Sequence, residues 1–148
     1  MAQAHQPADP DYAQRVRDII KQQPLMNILD MTLVDARPGD ITIRVQHRDD
    51  LQQHHGYLHG GITALLADEA CGLAGLSLVG PRQSVVTTDL HLSYLRPGVG
   101  VAYVSHATVV RAGRKLSTCR CDVHAQADDG SQKLIAIAQA SLMTLEHP

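Results

Sequence analysis

The sequence predicts an α+β fold, a curved antiparallel sheet wrapped around one long central helix, with an extra helix at the N-terminus. From Ser84 onward the chain reads as strand after strand, each run bounded by Gly, Pro or Asp turn signals. Before that, the segment from about His59 to about Leu78 is rich in Ala and Leu with few β-branched residues, a composition that favours helix. A helix that is apolar on most sides has to be buried on most sides, so the sheet must curl around it.

The elements can be justified in order. Residues 1–10 lack a basic start followed by an apolar run, and read as a short disordered lead rather than a secretory signal. Residues 11–148 read as one domain, because 44% apolar and 19% charged residues in a chain of 148 suit a single core. Asp11 to Gln23 carries Val16, Ile19 and Ile20 at helical spacing and stops at Pro24. Thr32 to Ala36 and Ile41 to Gln46 flank the turn Pro38-Gly39-Asp40, and Ile41, Ile43 and Val45 alternate with Thr42, Arg44 and Gln46. That is a hairpin with one wet face. A polar loop, His47 to Tyr57, leads to the central helix, which Gly80-Pro81 closes. Ser84 to Leu95 places Leu90, Leu92 and Tyr94 on one face before Arg96-Pro97-Gly98 breaks it. Val101 to Val110 and Leu116 to Ala127 are joined by Arg111-Ala112-Gly113-Arg114-Lys115, and Asp128-Asp129-Gly130 turns the chain into Lys133 to Leu145.

Composition excludes several function classes. A net charge of −2, dispersed basic residues and the absence of Phe and Trp argue against nucleic acid as a partner. The stretch from Ile62 to Gly80 is broken by Asp68, Glu69 and several glycines, which disfavours a membrane span, so a cytoplasmic protein is expected. Cys71, Cys119 and Cys121 are an odd number, with two of them on one strand face, and read as free thiols. His55 and His59 are four apart, a spacing known in metal sites on helices, but Gly56-Tyr57 between them looks like loop and no ligand cluster completes a sphere. No metal or organic cofactor is expected.

The chemistry concentrates where His59-Gly60-Gly61 opens the central helix and Asp68 follows nine positions later. First-turn N–H groups have no intrahelical partner, so they can polarise a carbonyl oxygen, and glycine lets a ligand approach closely. A carboxylate on the same helix supplies a general base or a nucleophile. Nine residues at 1.5 Å each separate the two by about 13 Å, too far for both to act on one carbonyl. The oxyanion donor and the carboxylate must then come from different subunits, with two central helices antiparallel across a two-fold axis.

These residues, together with Gln53, Leu66-Ala67-Asp68, the strand Asp89-Leu90-His91-Leu92-Ser93-Tyr94-Leu95-Arg96-Pro97 and Val110-Arg111-Ala112-Gly113-Arg114, resemble the hotdog-fold acyl-CoA thioesterases of the PaaI type, in the 4-hydroxybenzoyl-CoA thioesterase superfamily. The resemblance runs from about Leu25 to the end. It implies hydrolysis of an aryl- or medium-chain acyl-CoA to free acid and coenzyme A by a homodimer, or by a tetramer built as a dimer of dimers. It implies Asp68 rather than its neighbour Glu69 as the catalytic carboxylate, leaving Glu69 at an interface or facing solvent. Gly60 falls at the oxyanion donor, with His59 and Gly61 beside it. Gln53 falls where relatives place an amide near the attacking water or carbonyl, and Thr87 where some carry a hydroxyl. Arg96, Arg111, Arg114 and Lys115 read either as a solvated hairpin region or, by the resemblance, as cations for coenzyme A phosphates. Two other classes compete: a hotdog enoyl-CoA hydratase or dehydratase pairing His59 with Asp68, and a non-catalytic acyl-CoA-binding protein.

Overall fold

The computed structural model describes residues 4–147. Tyr12–Gln22 forms helix α1, Pro24–Ile28 a short helix α2, and Gly60–Leu76 the central helix α3. The strands are β1 (Thr32–Arg37), β2 (Asp40–Gln46), β3 (Gln83–Tyr94), β4 (Ala102–Ala112), β5 (Leu116–Gln126) and β6 (Gln132–Glu146). All pair antiparallel, in the order β1-β2-β4-β5-β6-β3. The link from β2 through α3 to β3 therefore crosses the whole sheet and leaves β3 on an edge. This is the expected hotdog arrangement.

The core lies between α3 and the concave face of the sheet. Leu66, Ala67, Ala70, Cys71 and Ala74 of α3 are fully buried against Ile41, Ile43, Val45, Ala107, Cys119, Cys121, Val123 and Leu142. Small side chains on both surfaces let the helix settle deeply. The limit is Gly75, where an added Cβ would stand 2.3 Å from Leu142 Cδ1. Ser105 Oγ donates to the Leu66 carbonyl at 2.9 Å, pinning the helix to β4. No helix among the described residues is long and apolar enough to cross a membrane.

Three local expectations change. The lead expected to be disordered through residue 10 is anchored from His5 onward, while residues 1–3 lie outside the described residues. The His5 ring bonds the Val109 carbonyl at 2.8 Å, the Ala8 N–H donates to Leu78 O at 3.2 Å, and Asp9, nearly buried, accepts the Asp11 N–H at 2.9 Å. Pro24, read as a terminator, both ends α1 and opens α2, since proline at the first helical position gives up an N–H that has no helical partner. The loop after β2 also holds a single 3-10 turn, Asp49–Leu51.

Candidate active site

The start of α3 is held from several directions. The His59 N–H donates to Leu51 O at 2.8 Å and the Leu58 N–H to Gly98 O at 3.0 Å, so the loop before the helix is fixed to its surroundings. His59 is the N-cap, and its Nδ1 accepts the Gly61 N–H at 2.9 Å. The His59 carbonyl accepts from Ile62 at 2.9 Å and Thr63 at 3.2 Å. Of the first-turn donors, only the Gly60 N–H is without a partner among the described residues. Tyr94, at the end of β3, reaches over the glycine pair and donates its hydroxyl to Gly60 O at 2.7 Å. Residues around this turn line a cleft of about 620 Å3: Gln53, Tyr57, His59, Gly60, Gly61 and Arg96 among them.

Asp68 sits two turns along α3 and opens into a different cleft of about 490 Å3. Thr87 of β3 donates to Asp68 Oδ1 at 2.6 Å, so the hydroxyl that the sequence suggested meets the carboxylate that it suggested. Ile19 of α1, Leu73 and Leu76 of α3, and Val85 and Val86 of β3 supply aliphatic walls beside the polar Gln23, Glu69 and Ser84. Gly72 adds open room, because nothing lies within 4 Å of a Cβ built there. The two clefts share no lining residue.

Glu69, expected at an interface or facing solvent, is partly buried and lines the same cleft as Asp68, where Gln23 Nε2 donates to Glu69 Oε1 at 2.6 Å. Burial raises its pKa above the ordinary 4.5; the Gln23 hydrogen bond opposes this and the neighbouring Asp68 charge adds to it. Gln23, at the end of α1, is a contact across 46 positions that no local pattern announces.

The remaining candidates divide between the two ends of the sheet. Gln53 accepts the His55 N–H and stays on the Gly60 side. Arg96 stands there as well. Arg111, Arg114 and Lys115 are exposed on the β4–β5 hairpin, at the other end: Lys115 O accepts from Thr144, which pairs with Val85 in the wall of the Asp68 cleft. His59 is engaged with Gly61 rather than with Asp68, which removes the imidazole and carboxylate pairing a hydratase would need within one chain. The His54 and His55 ring centroids lie 4.0 Å apart with the planes tilted by 43°, and among the described residues no group of three His, Cys, Asp or Glu side chains could hold a metal ion. Cys71 of α3 and Cys119 and Cys121 of β5 are free and buried where the helix meets the sheet, and hydrogen bonding to the Cys119 and Cys121 thiols, together with burial, pushes the Cys71 pKa up.

With the geometry in place, similarity to known proteins decides the family. The sequence pattern of the Thioesterase superfamily matches residues 55–131, from the loop before α3 to the end of the last hairpin turn. The chain belongs to the thioesterase superfamily. A candidate esterase of Halobacterium salinarum is 32% identical over 139 residues, covering 88% of this thioesterase and 91% of its own length. The medium/long-chain acyl-CoA thioesterase YigI of Escherichia coli is 31% identical over 99 residues, covering 58% of this chain and 61% of its own. Among solved structures, a thioesterase family protein from Silicibacter pomeroyi superposes with a TM-score of 0.88 at 35% identity, covering 91% of this chain and 98% of that one. The PaaI protein of the Escherichia coli phenylacetic acid degradation operon shares the fold, with a TM-score of 0.82 at 16% identity over 95% and 97% of the two chains. Thioester hydrolysis is the activity class of this thioesterase.

Proposed function

We propose that this thioesterase hydrolyses acyl-coenzyme A thioesters carrying an aryl or medium-length acyl group, at a site completed by two subunits. The observation that carries this reading is the separation of its parts: Asp68 with Thr87 lines one cleft, and the free Gly60 N–H lines another with no shared wall. A two-fold axis that sets two α3 helices antiparallel brings the Asp68 end of one against the Gly60 end of its partner, twice. The edge position of β3 supports such pairing, because an exposed strand of twelve residues is a ready surface for a second copy.

The roles follow from charge. The thioester oxygen accepts the Gly60 N–H, which stabilises the negative charge that develops on attack. Asp68, held by Thr87, either removes a proton from the attacking water or attacks the carbonyl carbon itself to form an anhydride that water then opens. In both routes the carbon–sulfur bond breaks, the coenzyme A thiolate leaves and is protonated, and the acid is released. The acyl group occupies the aliphatic cleft beside Asp68, and Arg96, Arg111, Arg114 and Lys115 hold the phosphates of the coenzyme.

Subunit complementation tests the shared site. An Asp68→Asn chain and a Gly60→Pro chain should each be inactive alone. In a mixed dimer one site carries both lesions and the other carries neither, so verified hybrids should recover about half the normal activity. Inactive hybrids would overturn the assignment of at least one of the two residues.

A further inference from the structure

The peptide that joins Gly60 to Gly61 is gripped at both ends. Its carbonyl accepts the Tyr94 hydroxyl at 2.7 Å, and its N–H donates to His59 Nδ1 at 2.9 Å. The preceding peptide is held through the His59 carbonyl by Ile62 and Thr63. Between these two planes lies the Gly60 Cα, and the direction of the Gly60 N–H is set by how both are fixed. Glycine has the widest backbone freedom of any residue, so two in succession at a helix start stay in one orientation only under outside restraint. Tyr94 also sits hard against that Cα: a Cβ built on Gly60 would meet its Oη at 3.1 Å, its Cζ at 3.2 Å and its Cε1 at 3.3 Å. Glycine at position 60 thus makes room for the tyrosine as well as for a substrate.

We propose that Tyr94 is a positioning residue for the hydrolysis, acting through the Gly60–Gly61 peptide to aim the Gly60 N–H at the thioester oxygen. The inference rests on the reading that Gly60 is the oxyanion donor. Donor alignment matters more in the transition state than in the bound substrate, because the oxygen gains charge and shifts as the carbon becomes tetrahedral. Loss of the grip should therefore slow the chemical step while leaving binding almost unchanged. Tyr94 as a residue is 58% exposed and outside the buried core, so removal of its hydroxyl leaves the core untouched.

The test is Tyr94→Phe in the full chain. With benzoyl-CoA or octanoyl-CoA as substrate, kcat should fall about tenfold while KM stays within about twofold. A second readout separates positioning from structural support. An acyl-CoA ketone with a methylene in place of the sulfur and 13C at the carbonyl should show, in difference infrared spectra, a carbonyl stretch lowered on binding to the normal enzyme. In Tyr94→Phe that stretch should move back toward its value in water. A kcat within twofold of normal, or a rise in KM with kcat kept, overturns the proposal. A stretch that Tyr94→Phe lowers as far as the normal enzyme does also overturns the role of Tyr94 but leaves Gly60 as donor, whereas a normal enzyme that never lowers it overturns both.

Discussion

Asp68 is one carboxylate among several on the surface of this chain, and its setting separates it from them: a threonine hydroxyl on one oxygen, aliphatic walls, and an open side. Asp68→Asn keeps the shape and removes the base or nucleophile, so thiol release from acyl-CoA should fall about a hundredfold or more with binding retained. Thr87→Val removes a hydrogen bond to a charged group and should cost roughly tenfold in kcat. At Gly60 the useful pair is proline and alanine. Both add a Cβ against Tyr94, but only proline deletes the N–H, and it suits the first helical position after a His59 whose ψ of 133° is already extended. A proline variant much slower than the alanine variant would isolate the donor; equal losses would implicate crowding instead. Glu69 gives a prediction in pH. Its native pKa lies above the ordinary 4.5, so folding favours the protonated form, and that contribution is complete below about pH 4.5 and lost as pH rises through the native value. The Tm of the normal protein minus that of Glu69→Gln should therefore be greatest in acid and shrink toward neutrality, and a difference flat with pH would contradict the burial of this carboxyl.

At the level of elements, α3 was the easiest to read and is the most demanding to pack. Its Ala and Leu content and the closing Gly80-Pro81 predicted a helix at about 59–78, against Gly60–Leu76 observed. The hairpins were equally plain, because alternation and turn residues are local signals. What escaped was set by contacts distant in sequence. Gln23 reaches Glu69 across the fold, and Tyr94, on one strand face with Leu90 and Leu92 as expected, makes a contact with the start of α3 that its strand position alone does not announce. Pro24 shows a third kind of failure, in which one residue serves two helices and the pattern records only the break. For the site, the separation of Gly60 from Asp68 was legible from spacing alone, since the eight helical steps between them have a fixed length. Gly72 and Gly75, in the second half of α3, make the packing testable. Gly72→Ala adds helix propensity into open space and should stabilise by about 0.5 to 1 kcal/mol. Gly75→Ala gains the same propensity but drives a Cβ into the fully buried Leu142, where overpacking costs about 1 to 3 kcal/mol, so the net change should be a loss. Denaturant midpoints of the two variants should move in opposite directions.

Across the whole molecule, the charges that would hold a nucleotide lie at opposite ends of the sheet: Arg96 near Gly60, and Arg111, Arg114 and Lys115 at the hairpin near the wall of the Asp68 cleft. The antiparallel subunit pairing proposed above would draw the two sets toward one substrate. Arg111→Ala and Arg114→Ala should raise KM more than they lower kcat, added salt should mimic them, and a thioester of pantetheine without the nucleotide should be indifferent to both changes. Equal effects on the full and truncated thioesters would assign the hairpin to folding. The three cysteines bear on how any such measurement is made. Cys71, Cys119 and Cys121 are all enclosed between α3 and β5, with no exposed surface. A colorimetric disulfide reagent added to report released coenzyme A should therefore see only product and leave the folded enzyme unlabelled. The same reagent added without substrate becomes a clock for global opening, silent until the helix leaves the sheet and then registering all three sulfurs in a single phase.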